Sequence, residues 1–453
     1  MTSTVAVDEL RVGMYIHLEG GWLSHPFPLS AFRISSPDEI ATIRGLGLAQ
    51  VRWVPEKSDL PAAGLGASGA SVSAFVPATS SATSSEVLSS SEPAPEPAPA
   101  PEASLDQRAA AQQQAWLNDQ REAAKRCERQ YGEAAKVMHE VNDALVSQPK
   151  DAGRTAGTLA RAMLDKMVAA REVGIRLVNS GGGDRAAAHS LNVAVVAMLI
   201  GRTLEMSDVD MQDMAVGALL HDVGKVDVPD RLRHPEDSFT PAETSGYRDH
   251  VAKGVLQGHR MGLNAGTLAV IAQHHEHADG SGFPMKLAAD RLSLGARIVA
   301  IVNRYDNLCN PGGRTLALTP HEAVAMMFAQ SRSRFDPPVL NAFIRMMGVY
   351  PAGSLVQLTD DRFALVVGVN SGRPLKPRVL VHGTAGLRTG PRAVVSGMAR
   401  MLDLEHQPDL GIRRSLAAAK LPPAVLAALD PRPRVSYYFE PLNVVSQPAE
   451  LAA

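Results

Sequence analysis

Cysteine is scarce in this chain: only Cys127 and Cys309 occur in 453 residues, in segments of different character. That excludes a disulfide framework and suits a reducing compartment. Aromatic residues are also few, at 4%, so Ala, Val, Leu and Met must fill the core that a hydrophobic content of 45% allows. An excess of either charge is missing: 45 Lys and Arg stand against 47 Asp and Glu, a formal net charge of -2. A globally basic surface for a nucleic-acid polymer is thereby excluded, while a local patch for a nucleotide phosphate is not. The longest apolar run, near Val193–Ile200, is too short to span a bilayer. The opening MTSTVAVDELRVG has neither a basic stretch nor an apolar one, so no secretory signal is expected. A soluble cytoplasmic protein with no membrane partner is the expectation.

The length predicts two or three folded units. Residues 1–60 read as a small α+β module: VGMYIHL and AQVRWVP have strand character, and SSPDEIATIRGLGL is capped like a short helix. Residues 61–104 are Ala, Ser, Pro and Gly almost throughout and include PAPEPAPAPE, the composition of a disordered linker. Residues 105–170 form a helical lead-in, whose stretch from Asp106 to Leu145 predicts one long amphipathic helix. Such a helix packs on its own domain or pairs with another chain, as a homodimer or with a signalling partner. Helical periodicity dominates residues 171–348. Residues 349–453 predict a β-containing extension with strands at SLVQL, FALVVGV and RVLVH, and a helix across IRRSLAAAKLPPAVLAAL.

The histidines carry the strongest chemical signal. His221 and Asp222 in HDVGK follow the helical segment DMQDMAVGALL and so lie at a helix end. Adjacent side chains diverge there, so the two can serve one metal, or Asp222 can bridge two. Gly224 permits a tight exit and keeps Lys225 within a turn of the metal. His189 opens the apolar segment HSLNVAVVAMLI, His250 lies in YRDHVAKGVLQGH, and His274 and His275 end TLAVIAQHHE. Imidazole combined with carboxylate suits iron, manganese or zinc and argues against calcium.

HSLNVAVVA, HDVGKVDVPD, the isolated His250, HHEHADGSGFP and RIVAIVNRYDNL follow one another in the order and spacing of HD-GYP domains, which the chain resembles over roughly residues 170–348. VDELRVGMYIHLEGGWLSHPF resembles the small domain often found in front of such domains in bacteria. The resemblance implies a mainly α protein: a helical, metal-dependent phosphohydrolase domain that hydrolyses the second messenger cyclic di-GMP to pGpG or GMP. It implies two divalent metal ions, iron or manganese. His189, His221, Asp222 and Asn303 would hold one; Asp222, as a bridge, with His250, His274 and His275 would hold the other. Lys225 would contact the scissile phosphate, with Asp222 and Lys225 as the catalytic residues. Glu276, Asp279, Gly280, Gly282 and Pro284 belong to the signature loop, where the glycines and proline shape a turn that Glu276 and Asp279 fix by local hydrogen bonds. Phe283 stands where the signature has tyrosine, keeping an aromatic face for guanine or for the pocket wall but no hydroxyl.

Departures from the family pattern set further expectations. Asn303 replaces an aspartate ligand; its neutral amide oxygen predicts weaker affinity at one metal position, or a different preferred metal, and Asp306, three residues on, is out of register to replace it. Arg185 stands where three-metal relatives have glutamate, which speaks against a third metal. In the loop that grips phosphates in active relatives, Gly312 and Thr315 occupy the basic positions and Arg314 remains, shifted, as a substrate-binding candidate. Two alternatives follow: a degenerate HD-GYP domain that signals by protein contacts, and an HD phosphohydrolase for another nucleotide.

Overall fold

A computed structural model of the chain describes residues 3–18, 31–34, 37–45, 48–59, 105–170, 172–180, 183–236, 238–313, 315–330, 332–369, 375–383 and 399–442. The expected linker, residues 61–104, and Arg314 lie outside the described residues. The chain divides into two units, the first within residues 1–112 and the second comprising chiefly Gln113 onward.

In the first unit, strands β1 (Ser3–Ala6), β2 (Tyr15–His17), β3 (Ala31–Arg33) and β4 (Gln50–Trp53) form an antiparallel sheet in the order β1-β4-β2-β3, with helix α1 (Pro37–Gly45) between β3 and β4 in sequence. Val5, Ile16, Ile34, Ile43, Val51 and Trp53 are buried, which is the α+β module the strand and cap signals predict.

The second unit takes up helix α2 (Leu105–Ala144) from Gln113, continues with α3 (Pro149–Ala169) and then strand β5 (Val173–Val178). Five helices follow: α4 (Arg185–Thr203), α5 (Asp208–Leu220), α6 (Pro241–Met261), α7 (Ala265–Gln273) and α8 (Leu294–Cys309). After α9 (Pro320–Gln330) and α10 (Pro337–Met347) come β6 (Leu355–Leu358), β7 (Phe363–Val369), β8 (Arg378–His382), β9 (Ala399–Asp403), β10 (Ile412–Leu416), α11 (Pro423–Leu429) and β11 (Ser436–Pro441). On α2 and just past its end, Cys127, Tyr131, Ala134, Met138, Val141 and Leu145 are buried at alternating spacings of four and three, the stripe of an amphipathic helix, and they join the main core of their own unit. Helix α4 is long and apolar enough to cross a membrane by length and composition alone, yet it is the central helix of this core, packed on α5, α8, α10 and β11.

The sheet changes the expected division of the chain. β5, at the start of the 171–348 domain, pairs antiparallel with β11 along its whole length, from Ser436 opposite Val178 to Pro441 opposite Val173, and also with β7. The 105–170 lead-in, the 171–348 domain and the 349–453 extension therefore share one core rather than following as separate pieces. The helix expected across 412–429 is also corrected. Ile412–Leu416 is strand β10 on β6, and only Pro423–Leu429 is helical. Pairing with a sheet edge overrides a local preference here, as strand formation commonly does.

A buried ion cluster locks this sheet to α2. Glu440 on β11 accepts from Arg176 on β5 at 2.6 Å and from Arg378 on β8 at 2.5 Å, and both arginines also donate to Gln120 Oε1. Burial alone would raise the Glu440 carboxyl, but the guanidinium groups of Arg378 and Arg176 hold it at about 2. A carboxyl lowered from 4.5 contributes stability that is fully present above about pH 4.5 and disappears as pH falls towards 2. Glu440→Gln leaves two buried cations without their anion, so urea unfolding at pH 7 should show a loss of roughly 3–5 kcal/mol. The same titration repeated between pH 5 and 2.5 should show a shallower acid dependence in the variant than in the parent.

Candidate metal centre

Helix ends deliver most of the site. His221 is the C-cap of α5 and His274 the C-cap of α7; His250 sits within α6 and His189 in the second turn of α4. The starts of these helices are fixed by side-chain caps: Asp184 for α4, Ser207 for α5, a Thr240–Glu243 capping box for α6 and Asn264 for α7. Asp222 opens the tight turn Val223–Asp227, which lies against α6. Gly224 makes that approach possible, since a Cβ there would lie 2.0 Å from the His250 carbonyl oxygen and 2.3 Å from the Gly254 nitrogen.

The side chains converge in two groups, His189–His221–Asp222 and Asp222–His250–His274–His275, with candidate ligand atoms within 4.8 Å of one another in each. Asp222 belongs to both. Its Oδ2 faces His221 Nε2 at 3.5 Å and His189 Nε2 at 3.6 Å; its Oδ1 faces His250 Nε2 at 3.6 Å and His274 Nε2 at 3.9 Å. Oδ1 is buried and has no hydrogen-bond partner. Oδ2 accepts from Lys225 Nζ at 2.6 Å.

The ring nitrogens show what fits between them. Nδ1 of His221, His250 and His274 each lies 2.6–2.8 Å from the carbonyl three residues back, of Ala218, Tyr247 and Ile271. A carbonyl only accepts, so Nδ1 carries the proton and the Nε2 lone pair points inward. His250 and His274 Nε2 are 3.3 Å apart, and His189 and His221 Nε2 are 3.1 Å apart. Two lone pairs cannot hydrogen-bond to each other. Their spacing suits neighbouring ligands of one cation at bond lengths of about 2.0–2.1 Å. Together with the orphaned Asp222 oxygen, this donor set fits divalent metal.

Protonation states agree. Burial lowers His221 to about 4, and burial together with the neighbouring imidazoles holds His274 and His275 well below the ordinary histidine value, leaving the neutral form that binds metal. Burial alone would raise Asp222, but Lys225 and the imidazoles hold it well below the usual carboxylate range.

Asp306, which the sequence gave no role, touches the site directly. Its Oδ2 lies 2.6 Å from His189 Nδ1, while its Oδ1 accepts from Asn192 and Asn310, each at 2.9 Å. Residues 303 and 306 lie one helical turn apart on α8, so the register that leaves Asp306 out as a direct substitute still brings it to the back of a ligand. The signal available in the sequence was a second acidic residue three positions on along an apolar helix. Asn303 itself is buried, and its Oδ1 accepts from Asn307 Nδ2 at 2.6 Å. Arg185 donates to the carbonyls of Asn310 and Gly312, pinning the start of the loop that follows α8.

In the signature loop, Glu276 is buried and accepts from the Met285 and Leu287 backbone nitrogens, and Asp279 accepts from that of Ser281, the local bonding expected of them. Gly282 lies where a Cβ would be 2.4 Å from the His277 nitrogen, so no larger residue fits. Phe283 is stacked on His275, with centroids 4.5 Å apart, and does not line the neighbouring cavity. Tyr247, another residue without an expected role, places its hydroxyl 3.3 Å from His275 Nε2. The cavity, of about 430 Å³, opens beside the first group and is lined by His189, Asp222 and Lys225 among others, a size typical of small-molecule sites.

A helical domain built around a histidine–aspartate cluster able to hold metal is the class that these features define. Residues 164–339 match the HD domain, and residues 2–154 match a domain of unknown function, DUF3391. A cyclic di-GMP phosphodiesterase of Pseudomonas aeruginosa is 29% identical over 392 residues, covering 85% of this chain and 86% of the relative. The cyclic di-GMP phosphodiesterase response regulator RpfG of Xanthomonas campestris is 31% identical over 33% of this chain and 40% of its own length. A 3'3'-cGAMP-specific phosphodiesterase of Vibrio cholerae is 28% identical over 36% of each chain.

Two substitutions probe this geometry. Asp306→Asn turns one accepting oxygen into a donor, which then opposes either His189 Nδ1–H or the two asparagine amides. Metal affinity, measured by chelator competition, should fall about 10–100-fold with the fold intact by circular dichroism. Gly224→Ala forces the turn off α6 and parts Asp222 from His250, so the purified variant should retain less metal by elemental analysis and melt at a lower temperature than the parent.

Proposed function

We propose that this chain is a metal-dependent phosphodiesterase that hydrolyses cyclic di-GMP to pGpG or GMP in bacterial second-messenger signalling, and that it works in the cytoplasm. The observation that carries the reading is Asp222, with one carboxylate oxygen facing each of two histidine groups. The names of the relatives from Pseudomonas and Xanthomonas support the substrate. Two divalent ions are the proposed complement, iron or manganese, in keeping with a mixed imidazole and carboxylate donor set. His189, His221 and Asp222, with Asn303 as a weak neutral donor, would hold one; Asp222, His250, His274 and His275 would hold the other.

Phosphodiester hydrolysis has a high barrier, and ions bound there supply Lewis-acid charge and water activated at neutral pH. The remaining work falls to the protein. Asp222 stays ionised and keeps the two groups in register. Asp306 fixes the tautomer and ring plane of His189. Lys225, 2.6 Å from Asp222 and facing the cavity, is placed to offset charge growing on a non-bridging phosphate oxygen. Glu276 and Gly282 hold the loop that backs His275, with Phe283 against its ring.

A second reading, another cyclic dinucleotide as substrate, is favoured by the Vibrio relative and by the altered loop at Gly312 and Thr315. The deciding assay is hydrolysis of cyclic di-GMP and 3'3'-cGAMP by protein loaded anaerobically with iron or manganese, beside a His221→Ala/Asp222→Ala control. Cyclic di-GMP should be turned over and the control should be inactive. Metal bound without turnover of either nucleotide would point instead to a signalling module without catalysis.

A further inference from the structure

The cavity beside the metal centre is completed by a residue from outside the HD domain, whose match ends at residue 339. Arg434 precedes β11, and its neighbour Val435 is clamped at both backbone groups. The Val435 nitrogen donates to Asn310 Oδ1 at 3.0 Å, and its carbonyl accepts from Asn310 Nδ2 at 2.9 Å and from Asn192 Nδ2 at 3.1 Å. Asn192 Oδ1 takes the Tyr437 nitrogen at 3.2 Å. In an extended segment alternate side chains share a face, so Arg434 and Ser436 both line the cavity while Val435 turns into the core.

The other cavity cations are engaged. Lys225 pairs with Asp222, Arg185 donates to the Asn310 and Gly312 carbonyls, and Arg233 pairs with Asp230 and donates to the Val228 carbonyl. The cavity carboxylates are engaged as well: Asp184 caps α4, and Asp306 serves His189, Asn192 and Asn310. Arg434 is exposed and, among the described residues, has no hydrogen bond or ion pair. It also lies near enough to Arg185 for its charge, after burial, to lower that guanidinium's pKa. Two cations on one wall with no free carboxylate between them call for an anion.

We propose that Arg434 binds the second phosphodiester of a cyclic dinucleotide while the first lies at the metal centre, so that the C-terminal strand supplies substrate affinity to the HD domain. A guanidinium is suited to this, because its planar fork matches phosphate oxygens. This inference rests on the cyclic di-GMP reading.

The test compares metal-loaded parent, Arg434→Ala, Arg434→Lys and, as a neighbouring control outside the cavity lining, Arg432→Ala. With cyclic di-GMP, Arg434→Ala should raise KM about 10–100-fold, the effect of losing a charged hydrogen bond, with a far smaller change in kcat. Arg434→Lys should recover part of the loss, and Arg432→Ala should behave as the parent. With bis(p-nitrophenyl) phosphate, which has a single phosphodiester, the rise in KM should be at least tenfold smaller, on the order of one charged contact. An unchanged KM for cyclic di-GMP in Arg434→Ala, or an equal rise with both substrates, overturns the role of Arg434 and leaves the phosphodiesterase standing. A parent that neither binds nor hydrolyses cyclic di-GMP overturns the functional reading, and Arg434's role with it.

Discussion

The contact on which the second unit turns is the short bond between Asp306 and His189. One oxygen of Asp306 faces the imidazole at 2.6 Å; the other holds the amides of Asn192 and Asn310. Those two asparagines grip the backbone of Val435 and Tyr437 where the last described strand begins. A single buried carboxylate thus links a candidate metal ligand, two core helices and the C-terminal sheet. Its burial is tolerable because the lone pairs have partners, the condition under which a charge can be kept away from water.

The same logic organises the histidines. Each of three rings gives its Nδ1 proton to the carbonyl three residues back, and two of these rings cap helices whose last carbonyls would otherwise lack donors. Satisfying a helix end and aiming a lone pair inward are one act. The result is a cage of inward-facing nitrogens around Asp222, one of whose oxygens has no hydrogen-bond partner, and the donor set fits a divalent cation.

Much of the site was legible because its chemistry is local. HDVGK, the two adjacent histidines and the glycine-rich loop announce themselves by residue type and spacing, and the structure brings His189, His221, Asp222, His250, His274 and His275 together. The placements of Asp306, Tyr247 and Arg434 were not legible, since an aspartate on a helix, a tyrosine beside a histidine and an arginine 245 positions from His189 look ordinary in sequence. The strand at Ile412–Leu416 was read as helix because AAAK and its surroundings favour helix locally, and only the edge offered by β6 reverses that preference.

The sequence by itself determined the amphipathic stripe of α2, the capped helix starts, the β-rich character of the C-terminal part and the ligand types of the metal site. These depend on side-chain period and donor chemistry within a few residues. Only the tertiary structure decided that β5 and β11 pair across more than 250 residues and that one oxygen of Asp222 faces each histidine group. It also decided that Arg434 reaches the cavity and that Asp306 stands behind His189. The physical reason is that register, distance and the sharing of a buried carboxylate arise from packing between distant segments, and no local pattern encodes which segments will meet.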